Sequence, residues 1–213
     1  MCGVEQNRLI ITENKKEKQM SLVTKEAPDF TAQTVMADNS IEEFTLSSLR
    51  GKYVVLFFYP LDFTFVCPSE IIAFDKKLAE FKSRNTEVIG VSIDSQYSHY
   101  AWRQTPVAKG GIGEVGFPLV ADLDKSISEN YDVLLDGAVA LRGLFLIDKE
   151  GIVRHSLVND LGLGRSVDET IRVLDALQFT EEHGDVCPAN WKQGEEAMKP
   201  TADGVADYLA KNA

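Results

Sequence analysis

The chain has 213 residues and a formal net charge of −11 at pH 7. That length carries one domain with a full core and perhaps an arm. The acidic balance argues against a nucleic-acid or anionic-membrane surface, and the longest uncharged apolar runs are too short to span a bilayer.

Residues 1–19 are polar and charged, with Glu13-Asn14-Lys15-Lys16-Glu17-Lys18-Gln19 at their end, and read as a disordered leader. Translation beginning at Met20 fits this reading. Within the leader only Leu9-Ile10-Ile11 is apolar, too short for the core of a signal peptide. The expected location is therefore cytoplasmic. Three cysteines in such a chain do not make a disulfide framework. Cys2 lies in the leader and reads as an incidental exposed thiol. His99, His155 and His183 are scattered and match no zinc spacing, so no metal is expected.

Tyr53-Val54-Val55-Leu56-Phe57-Phe58-Tyr59 reads as a buried strand, and a helix follows whose Ile71, Phe74, Leu78 and Phe81 recur at helical spacing. Pro68 suits its first position and Glu70 its third, where a carboxylate complements the dipole. Residues 87–93 form the next strand, and a helix runs through Tyr97, Tyr100 and Ala101. Asp124 is the expected cap of a short helix from Lys125 to Tyr131. Leu144-Phe145-Leu146-Ile147 and residues 152–158 flank Asp148-Lys149-Glu150-Gly151, which predicts a β-hairpin. Ser166-Val167-Asp168-Glu169 is a capping-box pattern, followed by the apolar face Val167, Ile171, Leu174 and Leu177. Glu181-Glu182-His183-Gly184-Asp185 reads as a polar turn. Beyond it Trp191, Gly194, Met198 and Pro200 are spread through a weakly periodic tail, expected to be an arm packed on something else. Early alternation and a late hairpin predict an α/β sandwich with a mixed sheet flanked by helices. The expected divisions are a leader at 1–19, a domain at 20–180 and a C-terminal arm at 181–213.

The chemistry concentrates on two Val-Cys-Pro triplets, Val66-Cys67-Pro68 and Val186-Cys187-Pro188. Cys67 stands where a strand gives way to a helix, facing unpaired N–H groups and the positive end of a dipole, an environment that lowers thiol pKa values. Pro60, Thr64 and Cys67 form Pro-x-x-x-Thr-x-x-Cys across the loop. Pro60 ends the strand, and the Thr64 hydroxyl lies close enough to approach the sulfur or a substrate oxygen. Phe63, Phe65 and Val66 are expected to wall the pocket. A buried, inert cysteine under an aromatic loop is the alternative. No cation lies between Pro60 and Ser69, so a cationic partner must come from elsewhere. Arg142, at the start of an apolar strand, needs an anion; Arg165 is a second candidate, or else a solvated loop residue.

Together these segments resemble the typical two-cysteine peroxiredoxins of the alkyl hydroperoxide reductase C and thiol-specific antioxidant family. The resemblance covers nearly all of residues 21–213. It rests on the run from Phe57 to Glu70, on Ala101-Trp102, on Leu141-Arg142-Gly143 and on Val186-Cys187-Pro188-Ala189-Asn190-Trp191. It implies a thioredoxin-like fold and a thiol-dependent peroxidase with Cys67 as the peroxidatic and Cys187 as the resolving cysteine. Pro60 shields the sulfur, Thr64 and Arg142 bind the peroxide oxygens, and Glu70 and Arg165 hold Arg142. Trp102 is a supporting residue or an ordinary core residue. The resemblance also implies a homodimer, often five dimers in a ring, and pairing of Cys67 with Cys187 of the partner subunit; spacing alone leaves an intrachain bond open. No flavin or nicotinamide motif is present, so no cofactor is expected and electrons come from thioredoxin or a flavoprotein disulfide reductase. Gly110-Gly111-Ile112-Gly113 stands close to the Gly-Gly-Leu-Gly of overoxidation-prone relatives. Tyr208-Leu209 replaces their Tyr-Phe pair, which predicts intermediate to robust resistance to sulfinic acid formation.

Three rival readings are weaker. A thiol-disulfide oxidoreductase wants Cys-x-x-Cys, and Pro68-Ser69 follow Cys67. A cysteine hydrolase needs a histidine base beside the sulfur. A binding or chaperone role is compatible with peroxidase activity and is separated from it by an assay of peroxide consumption.

Overall fold

The computed structural model describes residues 21–212, so the leader expected at 1–19, Met20 and Cys2 fall outside the described residues. In chain order the elements are β1 (Thr31–Val35), β2 (Ile41–Thr45), β3 (Tyr53–Phe58), α1 (Cys67–Lys76), α2 (Leu78–Ser83), β4 (Thr86–Ser92), α3 (Gln96–Gln104), β5 (Leu119–Ala121), α4 (Ser126–Asn130), β6 (Leu134–Leu135), β7 (Val139–Ala140), β8 (Arg142–Ile147), β9 (Val153–Asn159), α5 (Val167–His183) and α6 (Ala202–Asn212).

Seven strands form one sheet in the order β2-β1-β5-β4-β3-β8-β9. β3 runs parallel to β4 and β4 to β5, while β3–β8, β8–β9, β1–β2 and β1–β5 are antiparallel. The mixed sheet read from the alternating pattern is therefore present. β3 is central because it is apolar at every position, and a strand with both faces covered needs that. Its Tyr53, Val55 and Phe57 enter one core with Ile71, Phe74, Phe81, Trp102, Ile171 and Leu174. Its Val54, Leu56 and Phe58 enter the opposite core with Ile89, Tyr131, Phe145 and Ile147. Each such side chain contributes about 1.5–3 kcal/mol on burial, so β3 is the structural axis from which the following loop departs.

Several local expectations are corrected. The helix after Cys67 breaks at Lys77 into α1 and α2. The short helix at 126–130 starts from Lys125 in the left-handed region, and its free Ile127 and Ser128 amides are capped by the buried Asp122 carboxylate at 3.0 and 2.7 Å. Asp124 takes only the Ser126 N–H and hydroxyl. Ser166 caps α5 by accepting from the Glu169 N–H at 3.1 Å, but the Glu169 carboxylate pairs with Arg172 instead of closing the box. α5 continues through the expected polar turn to His183 and ends on Gly184 at φ 72°. β1, β2, β5 and α6 carried no clear signal in the sequence. The strands are short or half-polar, and α6 buries none of its side chains.

The arm has its own small architecture. Val186 and Met198 exchange backbone hydrogen bonds at 2.8 and 2.9 Å, closing a loop around Trp191, which is 1% exposed. The Trp191 ring packs 4.9 Å from Phe179 of α5, and its indole N–H donates to the Glu195 carbonyl at 3.1 Å.

Candidate active site

Cys67 is the first residue of α1 and is 1% exposed. Val66 is the cap position and offers no side-chain acceptor. Pro68 has no N–H, and the amides of Ser69 and Glu70 both turn to the Val66 carbonyl at 3.0 and 3.3 Å. The amide left at the mouth of the helix is that of Cys67 itself.

The cation comes from β8, as the empty loop required. Arg142 is the first residue of that strand, and the β3–β8 pairing sets β8 beside the strand that leads into Pro60. Its Nη1 donates to Cys67 Sγ at 3.5 Å and to Glu70 Oε2 at 2.6 Å, and its Nε donates to the Leu161 carbonyl at 2.8 Å. Arg165 closes the cluster. Its Nε and backbone N–H both donate to Glu70 Oε1 at 2.8 Å, and Nη2 reaches Glu70 Oε2 at 3.0 Å. Its remaining Nη1 donates to the Gly143 carbonyl. All four residues are buried. Burial pushes the Glu70 carboxyl up, but the hydrogen bonds and charge of Arg165, with the charge of Arg142, outweigh it and hold Glu70 below its ordinary value. Burial lowers Arg165, against the pull of Glu70. Two guanidinium groups thus share one carboxylate, and the excess positive charge faces the sulfur.

Thr64 differs from expectation. Its hydroxyl donates to the Leu61 carbonyl at 2.8 Å instead of to the sulfur, because the loop doubles back through Phe63 at φ 52°. The lone pairs of Thr64 Oγ1 remain as acceptors. The aromatic wall is also corrected: Phe65 is 96% and Phe63 54% exposed, so both face outward. The apolar surroundings of Cys67 come from the core beneath, where Phe57, Tyr59, Ile71 and Trp102 join its cluster. Trp102 is fully buried, donates from Nε1 to the Gly110 carbonyl at 3.0 Å and packs 5.7 Å from the Phe63 ring. It serves the core and touches the loop that precedes Cys67 at once. Pro60 is buried directly after β3.

Sequence reasoning missed what braces the loop. Asp62 accepts from the Tyr59 hydroxyl at 2.9 Å and faces His99 Nδ1 at 2.8 Å, while its own N–H donates to Asp94 at 2.8 Å. His99 Nε2 lies 3.1 Å from the Val120 carbonyl, so both ring nitrogens have buried polar partners. This histidine is a brace, not a base. Asp62 and His99 stand 37 residues apart, with no periodicity to connect them.

Cys187 lies elsewhere. It is half-buried, its Sγ donating to the Ala176 carbonyl at 3.6 Å and lying 3.7 Å from Thr180 Oγ1 on the outer face of α5. Both described cysteines are free thiols. No group of three or more metal-ligating side chains exists among the described residues.

The family comparison decides what this cluster belongs to. Residues 23–156 match the model of the AhpC/TSA family, and residues 176–211 match that of the C-terminal domain of 1-Cys peroxiredoxin. The chain is a peroxiredoxin of the AhpC/TSA family. It is 59% identical over 193 residues to the alkyl hydroperoxide reductase C of Helicobacter pylori strain J99, covering 90% of this chain and 98% of that one. Identity to mouse peroxiredoxin-2 is 54% over 191 residues, covering 89% and 96%. The reduced 2-Cys peroxiredoxin of Plasmodium vivax superposes with a TM-score of 0.88 at 57% identity, covering 89% of this chain and 99% of that one. The peroxiredoxin therefore has the thioredoxin-like α/β fold and is an oxidoreductase of the thiol-dependent peroxidase class. Although the C-terminal model is named for one-cysteine proteins, this peroxiredoxin carries Cys187 within that segment.

Proposed function

We propose that the protein reduces hydrogen peroxide and organic hydroperoxides to water and alcohols through a sulfenic acid on Cys67, in antioxidant defence and redox homeostasis. The single observation that carries this is Arg142 Nη1 at 3.5 Å from Cys67 Sγ with the same guanidinium locked by Glu70 at 2.6 Å. A fixed cation beside a sulfur at a helix mouth is placed for a peroxide bond that stretches as charge builds on its leaving oxygen. The sulfur attacks one peroxide oxygen, the O–O bond breaks, and the other oxygen leaves as water or alcohol after taking up a proton. Arg142 and the Cys67 N–H donate to the oxygens. Thr64, whose own proton is committed to Leu61, accepts the peroxide hydrogen. Pro60 shields the sulfur, Glu70 and Arg165 hold Arg142, and Trp102 supports the loop.

Cys187 then resolves the sulfenic acid as a disulfide, with loss of water. Intersubunit pairing has physical support. Val167, Ile171 and Leu174 of α5 face the core that contains Cys67, whereas Ala176 and Thr180, which hold Cys187, project from the other side of that helix. A helix is about 10 Å across, and a disulfide needs Cα atoms within about 7 Å. Cys67 of one subunit is therefore assigned to Cys187 of another, in a homodimer that assembles as five dimers. Residues 20–180 are assigned as the peroxidase domain, with the arm beyond them. Thioredoxin or a flavoprotein disulfide reductase is the electron donor, and the cytoplasm is the location. No described helix is long and apolar enough to cross a membrane.

A peroxide-consumption assay with a dithiol reductant tests the reading. Turnover by the wild type and none by Cys67→Ser is the expected result. Equal consumption by both would end it.

A further inference from the structure

One face of α5 is a seat for the arm. Arg172, Ala176 and Thr180 follow one another at four-residue spacing and so form a single stripe along the helix. Each is engaged by the arm. Arg172 Nη1 donates to the Trp191 carbonyl at 2.9 Å, Ala176 accepts from Cys187 Sγ at 3.6 Å, and Thr180 Oγ1 lies 3.7 Å from the same sulfur. Arg172 makes the charged contact of the three. Its Nε and Nη2 are held in a fork by Glu169 Oε2 and Oε1, both at 2.7 Å, which fixes the direction of the third nitrogen. Its target is rigid too. Trp191 N–H donates to the Pro188 carbonyl at 3.1 Å, and the Val186–Met198 bridge closes the loop on both sides of Cys187 and Trp191. Holding the Trp191 carbonyl therefore holds Cys187 four residues away, with its thiol turned into α5.

That docked position is not one from which Cys187 can act. Its S–H is spent on a helix carbonyl, and α5 stands between it and the core that contains its own subunit's Cys67. The arm must leave the seat first. We propose that Arg172 is a positioning residue for the second step of the reaction: its grip on Trp191 sets how often the arm is released, and so how fast Cys187 reaches a Cys67 sulfenic acid. The chemistry of that step is unchanged by Arg172. The Cys187 thiol gives up its proton, its sulfur attacks the Cys67 sulfur, the S–O bond breaks, and the hydroxide leaves with a proton as water. Arg172 governs only the population of arms free to begin. Because a second peroxide competes for the same sulfenic acid, the same grip sets sensitivity to overoxidation. The inference rests on the peroxidase reading above.

The test uses the full reduced protein, mixed rapidly with hydrogen peroxide, with sulfenic acid, disulfide and sulfinic acid followed by quenched mass spectrometry. In Arg172→Ala, sulfenic acid formation is expected to keep its rate within about twofold, while disulfide formation accelerates by roughly tenfold, the release expected when one charge-assisted hydrogen bond is lost. The peroxide dose giving half sulfinic acid should rise in step. Hydrogen exchange at the Val186 and Met198 amides should quicken. Arg172→Lys, which keeps the charge but cannot hold Glu169 and the Trp191 carbonyl together, should fall between the two. Should Arg172→Ala fold poorly, Glu169→Gln loosens the fork and is expected to shift the disulfide rate in the same direction by less. Faster exchange with an unchanged or slower disulfide step would overturn the proposal, as would no change in exchange. A general packing defect would slow both chemical steps rather than separate them. Absence of sulfenic acid in the wild type would instead sink the peroxidase reading itself, so the two failures are distinct.

Discussion

At the scale of single residues, magnitude decides where the catalytic power lies. A thiol of ordinary pKa, about 8.5, is roughly 3% ionised at pH 7, so complete ionisation gains at most about thirtyfold. Intrinsic nucleophilicity falls as a thiol acidifies, which erodes even that gain. In the proposed reaction the larger contribution is therefore assigned to fixed donors at the breaking O–O bond, where removing one costs about 10²–10³ in rate. Arg142→Ala should therefore slow sulfenic acid formation by about that factor, well beyond any change in the titrated thiolate fraction. A rate loss that merely follows thiolate fraction in a pH series would refute this. Glu70 supplies the second test. Its carboxyl lies below its reference value of 4.5 in the folded protein, so its stabilisation is complete above pH 4.5 and is lost as pH falls through the folded value. Glu70→Gln leaves two buried guanidinium groups sharing a neutral amide, a loss of about 3–5 kcal/mol at pH 7. In urea unfolding the gap between wild type and variant should narrow as pH drops below that reference value. A gap constant with pH would show that the Glu70 charge is not what holds the cluster.

At the scale of elements, the loop from Pro60 to Val66 is rigid because of its neighbours, not its composition. Asp62 is tied to α3 through His99 and to the turn between β4 and α3 through Asp94, so two neighbouring segments are held at one loop residue. Trp102 makes a second tie, linking the loop through the Phe63 ring to the Gly110 carbonyl. The Gly110–Gly113 segment is pressed against α3 at Gly111, where an added Cβ would lie 1.8 Å from the Thr105 carbonyl oxygen. Gly111→Ala must displace that backbone and is expected to cost about 1–3 kcal/mol, measured by chemical denaturation. A neutral outcome would mean the segment is free to shift. On the other side, α6 buries no side chain against its own subunit and is tied to the arm by Lys211 and Asn212 on Glu196. Tyr208-Leu209 sits on this helix. With Leu209 where overoxidation-prone relatives carry the phenylalanine of a Tyr-Phe pair, Cys67 is expected to reach the disulfide before a second oxidation. Mass spectra after a few turnovers at low peroxide should show Cys67 chiefly as disulfide; a chiefly sulfinic Cys67 would count against it.

At the scale of the whole molecule, one chain holds both described thiols but keeps them on opposite sides of α5. A non-reducing gel after one equivalent of peroxide should show a covalent dimer that disappears in Cys187→Ser. Retention of the monomer band with Cys187 oxidised would rule out pairing between subunits. The acidic surface, with a net charge of −11, predicts that association with an acidic reductant is slow at low salt and speeds up as salt screens the repulsion. Stopped-flow reduction across an ionic-strength series measures this.

The sequence by itself determined the strand-to-helix step that carries Cys67, the need for a distant cation, the hairpin at 144–158 and the start of α5. These rest on local signals: an unbroken apolar run, a proline at a helix start, a glycine-ended turn and a serine cap. Local composition also pointed to Arg142, because an arginine inside apolar company must find an anion, and left Arg165 as a second candidate or a solvated loop residue. The family resemblance named Glu70 as the partner of these arginines, but only the tertiary structure decided that Thr64 spends its proton on Leu61, that Phe63 and Phe65 face solvent, and that His99 braces Asp62. It alone placed Cys187 on the outer face of α5 under Arg172. The division is physical. Helical and strand periodicity reports which side of an element is buried, whereas the partners of a buried charge or thiol are chosen by sheet order and helix packing, which bring together residues that are far apart in the chain.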